Sequence, residues 1–258
     1  MLKIKILILL VSLLFLIISS NISGYAEEPQ LKNEMPEELE SFQERVERQA
    51  LDYPQFFFLR GNLEKKEIAL TFDDGPDSKY TPTILDILKE KDVPATFFLL
   101  GENILHYPGI IDRIAQEGHL IANHSWSHRN FEDLSPEEVL DEELLPTQAL
   151  IQNNLGRDYQ LPKIIRPPYG FIPDETIEYL GEKEWKVVNW SVDTFDWDSE
   201  TNSPDNILER VKKYAHPGGV ILLHSGGGNR ENTVEALPEI ISFLQKEGYE
   251  FITIDKMF

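Results

Sequence analysis

Two adjacent carboxylates, Asp73 and Asp74, close the apolar run in IALTFDDGPD, Ile68 to Asp77. An apolar run that ends in paired acids, then Gly75 and Pro76, reads as a strand entering a turn. Taken alone, such acids are solvated corner residues. Further on, His124 and His128 stand four apart in NHSWSH. That spacing predicts one helical turn with both imidazoles facing the same way. Two imidazoles and one carboxylate make a three-ligand set with open positions, the pattern of a catalytic divalent metal. The paired acids then need different tasks. One can bind the metal while its neighbour takes a proton from a water that the metal has acidified. Gly75 is expected to let the backbone turn tightly beside them.

Three later segments carry the remaining chemistry. In RPPYG, Arg166 can orient a carboxylate through its planar fork. Pro167 and Pro168 stiffen that loop and leave the Tyr169 backbone N–H available to a developing oxyanion. In SVDTFDW stand Asp193, Asp196 and Trp197, and Val220–Leu223 runs into His224. His224 suits a general acid, with an acidic neighbour such as Asp196 keeping it protonated. Leu222 and Trp197 suit the wall of an apolar pocket, although Leu222 reads equally well as core. The glycines of Gly226–Asn229 are no phosphate loop, because no Lys-Ser/Thr follows them.

These residues need a frame that gathers them. Short apolar runs recur at Ile68–Phe72, Ala95–Leu100, Leu120–Ala122, Ile164–Ile165, Val187–Trp190, Val220–Leu223 and Phe251–Ile254. Helical patterns lie between most of them, at Thr83–Glu90, Ile110–Glu117, Pro136–Asn153, Asp174–Tyr179, Asp205–Tyr214 and Thr233–Gly248. Alternation of this kind predicts an α/β fold with parallel strands and helices outside. Seven strands fall short of the eightfold barrel, so the expected architecture is a distorted, incompletely closed (β/α)7 barrel. The acids, imidazoles and guanidinium follow strand C-terminal ends, which a parallel barrel points at one mouth.

The bulk properties narrow the function. The chain has 258 residues, a formal charge of −21 and no cysteine. That excludes disulfides, thiolate zinc sites and a cysteine nucleophile. No basic stripe is present for a nucleic-acid backbone, so no nucleic-acid partner is expected. Lys3 and Lys5 precede an apolar run, Ile6 to Ile18, and small residues end it at Gly24–Ala26. This reads as a signal peptide over 1–26. The run is short against the ~20 residues of a spanning helix, and an uncleaved anchor is the alternative. Either way the chain is expected to be exported, secreted or extracytoplasmic, with membrane contact only through this segment. Residues 27–60 read as a linker and a short exposed helix within Pro36–Leu51, and 61–258 as the catalytic domain. Phe56–Leu59 reads as a short strand or packing segment. Oligomeric state leaves no trace in the sequence.

Together TFDDGP, HSWSH, RPPYG, DTFDW and LLHS resemble, in order, the five motifs of the polysaccharide deacetylases, the nodulation-factor-deacetylase homology domain among carbohydrate esterases. The resemblance spans roughly residues 65–258. It implies a distorted (β/α)7 barrel and metal-dependent removal of acetyl groups from N-acetylglucosamine units. Residue by residue, it implies that Asp73 is the base and that Asp74, His124 and His128 are the metal ligands. Arg166 orients the base, the Tyr169 N–H meets the oxyanion, His224 is the general acid and Leu222 walls the acetyl-methyl pocket. Asp196 is taken as the carboxylate that tunes His224, with Asp193 its rival. Zinc is the default metal, with cobalt, manganese or iron as alternatives. The expected partner is an N-acetylated glycan, peptidoglycan ahead of chitin oligomers or poly-N-acetylglucosamine. Other classes are a glycosidase using Asp73 with Asp193 or Asp196, which leaves the histidine pair unexplained, and a non-catalytic glycan-binding module.

Overall fold

In a computed structural model, residues 40–156 and 158–258 are described. The 1–26 segment and the first part of the 27–60 stretch lie outside them. Among the described residues nine strands form one all-parallel sheet: β1 (Phe57–Phe58), β2 (Glu67–Gly75), β3 (Thr96–Leu99), β4 (Leu120–Asn123), β5 (Ile164–Ile165), β6 (Lys186–Val188), β7 (Val192–Asp193), β8 (Gly219–His224) and β9 (Glu250–Phe251). The hydrogen-bonded order is β1-β6-β5-β4-β3-β2-β8-β7, with β9 beside the start of β2. Among the described residues no ladder joins β7 to β1, so the barrel is incompletely closed.

Two strands go beyond the seven expected. Phe57–Phe58 pairs with β6. Val192–Asp193 is separate from β6 and pairs with β8, so SVDTFDW leaves a strand of its own. The helix expected within Pro36–Leu51 is present but is docked on the barrel rather than free of it. From Glu40 onward the chain forms one compact unit. Its first helix, Phe42–Asp52, is opened by a reciprocal capping box between Ser41 and Glu44. It buries Val46 against Phe57, Leu180 and Trp185. An edge strand and a docked helix bind these residues to the barrel, where polar composition suggested an exposed helix. No helix among the described residues is long and apolar enough to cross a membrane.

The strand period of two sorts β2 cleanly. Ile68, Leu70 and Phe72 face outward, into a layer with helix Tyr80–Lys91 and helix Glu231–Lys246. Ala69 faces inward with Phe98, Ala122, Val188 and Val220. Asp73 continues the inward row, and regular alternation would send Asp74 into the apolar outer layer. The strand departs from regularity at that point. Register with β3 shifts between Phe72 and Gly75, and Asp74 takes φ 65°. The left-handed residue is thus Asp74 and not Gly75. Gly75 is needed for closeness, since a Cβ there would stand 2.6 Å from Ser225 Oγ.

At the opposite end of the barrel His119 is 6% exposed, and its Nδ1 accepts the Ala95 N–H at 3.1 Å. Burial lowers its pKa from 6.5 to about 4, with Glu117 opposing and Arg113 reinforcing the shift. The unfolded chain therefore binds the extra proton first, and stability falls as pH drops from 6.5 towards 4. At pH 5 this costs about 2 kcal/mol. Denaturant unfolding at pH 7 and pH 5 should show a smaller loss for His119→Asn, which retains an acceptor, than for the wild type. Equal losses would assign the acid sensitivity elsewhere.

Candidate active site and metal centre

The strand ends bring the expected residues to one cavity of about 510 Å³, lined by Asp73, Asp74, His124, His128, Tyr169, Asp193, Trp197, Leu222 and His224 among others. Asp73 and His224 are register partners on β2 and β8. At the centre Arg166 is fully buried. Its Nη1 donates to Asp73 Oδ1 and to Thr71 Oγ1, both at 2.8 Å. The Val188 carbonyl accepts from Nε at 3.3 Å and the Asn189 carbonyl from Nη2 at 3.4 Å. The guanidinium also stands 4.1 Å from the Phe98 ring centre. Burial lowers the Arg166 pKa, and the Asp73 charge and hydrogen bond oppose that.

The Arg166 carbonyl accepts a 2.8 Å hydrogen bond from His124 Nδ1. A carbonyl only accepts, so the proton of neutral His124 is on Nδ1 and Nε2 presents a lone pair. That Nε2 lies 3.4 Å from Asp74 Oδ1, and His128 Nε2 lies 3.3 Å from the same oxygen. Asp74 Oδ1 is buried with no hydrogen-bond partner among the described residues. The three donor atoms lie within 4.8 Å of one another. A lone pair facing an unpartnered carboxylate oxygen is repulsive unless a cation stands between them. These residues therefore fit one divalent ion, whose ligands at ~2.0–2.2 Å bring donor atoms this close. Burial would raise the Asp74 pKa, but positive charge at the two imidazole positions and at His224 outweighs it and holds the carboxyl well below its ordinary range.

His124 and His128 do not share a helical turn. They lie in a loop after β4, with Ser125 at φ 82° and His128 at φ 62°. Side chains hold this loop in place of helical hydrogen bonds. Ser125 Oγ accepts the His128 N–H at 3.0 Å, and Asn123 Oδ1 accepts the Ser125 N–H at 2.9 Å. The buried Glu143 carboxylate accepts the Trp126 and Ser127 N–H groups at 2.9 Å and the Ser127 hydroxyl at 2.8 Å. Glu143 sits in a π-helical segment, Val139–Leu144, inside the helix that runs from Pro136 to Leu155.

His224 and Asp196 meet closely. Nδ1 lies 2.7 Å from Asp196 Oδ1, and the His224 N–H donates to Oδ2 at 2.8 Å. The Thr233 hydroxyl completes Oδ2 at 2.8 Å. Burial lowers the His224 pKa, yet the Asp196 charge and hydrogen bond, then Asp74 and Asp73, raise it to about 9. The rival Asp193 accepts from the Phe195 N–H at 2.8 Å and Trp197 Nε1 at 3.3 Å, and burial raises its pKa. Geometry thus places Asp196, and not Asp193, on His224. Tyr169 has φ 60°, and its ring packs edge-on to His128 at 4.6 Å. No acceptor among the described residues takes its N–H. Leu222 is 2% exposed and still lines the cavity, so it serves both core and wall.

Several positioning groups escaped the sequence. Arg230 Nε donates to the Gly226 carbonyl at 2.7 Å, and its Nη2 stands 3.9 Å from Asp74 Oδ2. Asn103 Nδ2 donates to the Asp74 carbonyl at 2.8 Å. Gly227 takes φ +69°, and a Cβ there would overlap Asp74 Oδ2. The triple glycine was the one visible sign of this close approach. Nothing in the sequence separates Glu143 from its acidic neighbours Asp141 and Glu142.

Residues 60–188 match the family model described as "Polysaccharide deacetylase". The chain is 44% identical over 199 residues to a peptidoglycan-N-acetylglucosamine deacetylase of Bacillus cereus, covering 77% of this chain and 70% of that one. It is 33% identical over 243 residues to the peptidoglycan-N-acetylglucosamine deacetylase PgdA of Listeria monocytogenes, covering 94% of this chain and 49% of that relative, about half its length. A solved peptidoglycan N-acetylglucosamine deacetylase, in complex with 4-naphthalen-1-yl-N-oxidanyl-benzamide, superposes with TM-score 0.76 at 41% identity, covering 81% of this chain and 95% of that chain.

Gly227→Ala should push Asp74 off its position while leaving the barrel folded. The expected result is a divalent-metal affinity lowered about 10- to 100-fold, as for other groups that orient a ligand, read by calorimetry. Wild-type affinity would show that the close approach is dispensable.

Proposed function

This chain belongs to the polysaccharide deacetylase family, and on that premise we propose that it is a metal-dependent hydrolase removing acetyl groups from N-acetylglucosamine residues of peptidoglycan. The reading is carried by one observation. A carboxylate held by a buried guanidinium, a three-ligand Asp-His-His group and an imidazole backed by its own carboxylate line the same cavity. A glycosidase needs only two carboxylates and has no use for the histidine pair. A binding module has no use for the His224–Asp196 pair.

Asp74, His124 and His128 would hold the metal. When bound, the cation supplies Lewis-acid chemistry, polarising the acetyl carbonyl and acidifying a water. Asp73 is the base that takes the proton of the attacking water. Arg166 occupies its Oδ1, which leaves Oδ2 to receive that proton. The Tyr169 N–H donates to the oxyanion as the carbonyl carbon becomes tetrahedral. His224, with Nδ1 engaged by Asp196, gives its Nε2 proton to the departing nitrogen. The C–N bond breaks, and acetate and a free amine leave. Leu222 contributes apolar wall for the acetyl methyl, and Trp197 an aromatic surface for the sugar.

Zinc is the ion we favour for a carboxylate with two imidazoles, cobalt, manganese or iron being the other candidates. The basic and apolar pattern over Lys3–Ala26 supports export to the cell wall, with any membrane contact confined to that segment. The names of the relatives support peptidoglycan ahead of chitin oligomers.

Purified protein should release acetate from peptidoglycan, and a chelator should stop it. Asp73→Asn should retain metal while kcat collapses, and His128→Ala should lose metal and activity together. Chelator-insensitive acetate release, or full activity of metal-free His128→Ala, would defeat this reading.

The pH profile gives a separate check. The groups facing His224 are Asp196, Asp74 and Asp73. Its raised pKa keeps it protonated through neutrality, and that state is lost as pH rises through about 9. In kcat/KM against pH, Asp196→Asn should move the alkaline limb down by roughly one unit or more, and Asp193→Asn should leave it in place. The reverse pattern would transfer the tuning role to Asp193.

A further inference from the structure

Helix Phe42–Asp52 lies outside the 60–188 stretch that the family model matches, yet Phe42 lines the same cavity as Asp73, Asp74 and His124. Its ring stacks on Trp190 at 5.4 Å and 29° and meets Phe171 edge-on at 5.2 Å and 78°. All three rings are half-buried, and all three line the cavity. Simple core packing would leave none of the three rings open to the cavity.

The shelf is fixed from behind. Gln49 Nε2 donates to the Ile172 carbonyl at 2.9 Å and to Asp174 Oδ1 at 2.8 Å, and Arg48 Nη1 donates to Asp174 Oδ2 at 2.6 Å. These bonds dock the helix on the segment that follows Tyr169. The shelf also presses on the Tyr169–Gly170 turn: a Cβ on Gly170 would stand 2.6 Å from Trp190 and 2.8 Å from Phe42. A rigid apolar surface thus borders the catalytic groups. Fixed aromatic faces of this kind, beside a few convergent polar groups, are what an extended ligand with an apolar face needs.

We propose that Phe42, Trp190 and Phe171 form a binding subsite for a pyranose ring of the glycan chain, adjacent to the ring whose acetamido group reacts. The inference rests on the deacetylase reading and extends it. The N-terminal helix becomes a determinant of chain-length preference, and substrates of a single ring forgo the subsite.

The test compares an N-acetylglucosamine tetramer with a simple aryl acetate for the metal-loaded wild type, Phe42→Leu and Phe42→Tyr. Leucine keeps apolar packing against Trp190 and removes the ring face; tyrosine keeps the face. Phe42→Leu should raise KM for the tetramer about three- to tenfold, the range of one aromatic contact, and lower the tetramer-to-acetate ratio of kcat/KM by the same factor. Phe42→Tyr should restore both. A parallel fall in kcat for both substrates would overturn the proposal, because Phe42 would then act only by bracing Trp190, whose ring centre lies 5.7 Å from the Arg166 guanidinium. An unchanged tetramer KM would overturn it too. Wild-type protein releasing acetate from neither substrate would overturn the deacetylase reading itself, and the subsite with it.

Discussion

Arg166 places a full positive charge where no water reaches it, and much of the catalytic mouth is arranged around that fact. A buried guanidinium is tolerated only when its N–H groups and its charge are met on every side. Here Asp73, Thr71 and two backbone carbonyls meet the donors, and Phe98 covers a face. The same residue's carbonyl fixes the tautomer of His124, and its N–H donates to the Asn123 carbonyl at 3.0 Å. The base and one metal ligand, His124, are therefore set by one residue. Removing one partner of such a pair costs about 3–5 kcal/mol. A neutral replacement of Arg166 would disturb stability, the base and the histidine loop at once, so its effect on rate could not be read as a single role.

The mouth is also where the backbone is least comfortable. Among the described residues seven non-glycine positions have positive φ: Asp74, Asp92, Ser125, His128, Tyr169, Glu184 and Phe195. Asp92 caps the end of a helix, where left-handed geometry is routine. Five of the others line or border the cavity. Each left-handed residue costs ~1–2 kcal/mol, and such strain persists only where surroundings enforce it. The enforcing groups are visible: Glu143 and Ser125 for the histidine loop, Asn103 and Arg230 around Asp74, and Phe42 with Trp190 around Tyr169–Gly170. The backbone that carries the metal-binding set is thus held in place by the protein's own groups.

This explains what the sequence made legible. Strand-end chemistry is written locally: TFDDGP, NHSWSH, RPPYG, SVDTFDW and LLHS each carry their side chains next to an apolar run, and a parallel sheet does the gathering. The helices could be read for the same reason, from periodicity and caps. What escaped is non-local. Adjacent acids on a regular strand would face opposite ways, and only the shifted register at Phe72–Gly75 brings Asp74 round to join Asp73. Four-residue spacing suggested a helical turn for His124 and His128 because the alternative depends on Glu143, a residue fifteen positions past His128. Strand β7 has two residues, too few to show a period, and β1 at Phe57–Phe58 could be read only as a short strand or packing segment. The helix within 36–51 was legible from its apolar spacing, but its polar character hid that one face docks inward on the barrel.

The two proton-handling groups are separated by how each is compensated. Asp73 and His224 are neighbours in register across β2 and β8, and left to themselves they would form one ion pair and neutralise each other. Each has instead a partner of its own: Arg166 at 2.8 Å for Asp73, and Asp196 at 2.7 Å for His224. Both partners are almost wholly buried, so neither pair is weakened by water. Two private ion pairs keep a carboxylate and an imidazolium side by side without a proton passing between them, which is the state that base and acid catalysis require together. The pairing also fixes which atom of each remains free. Arg166 takes Oδ1 of Asp73 and Asp196 takes Nδ1 of His224, leaving one oxygen and one nitrogen with which to exchange protons with a substrate.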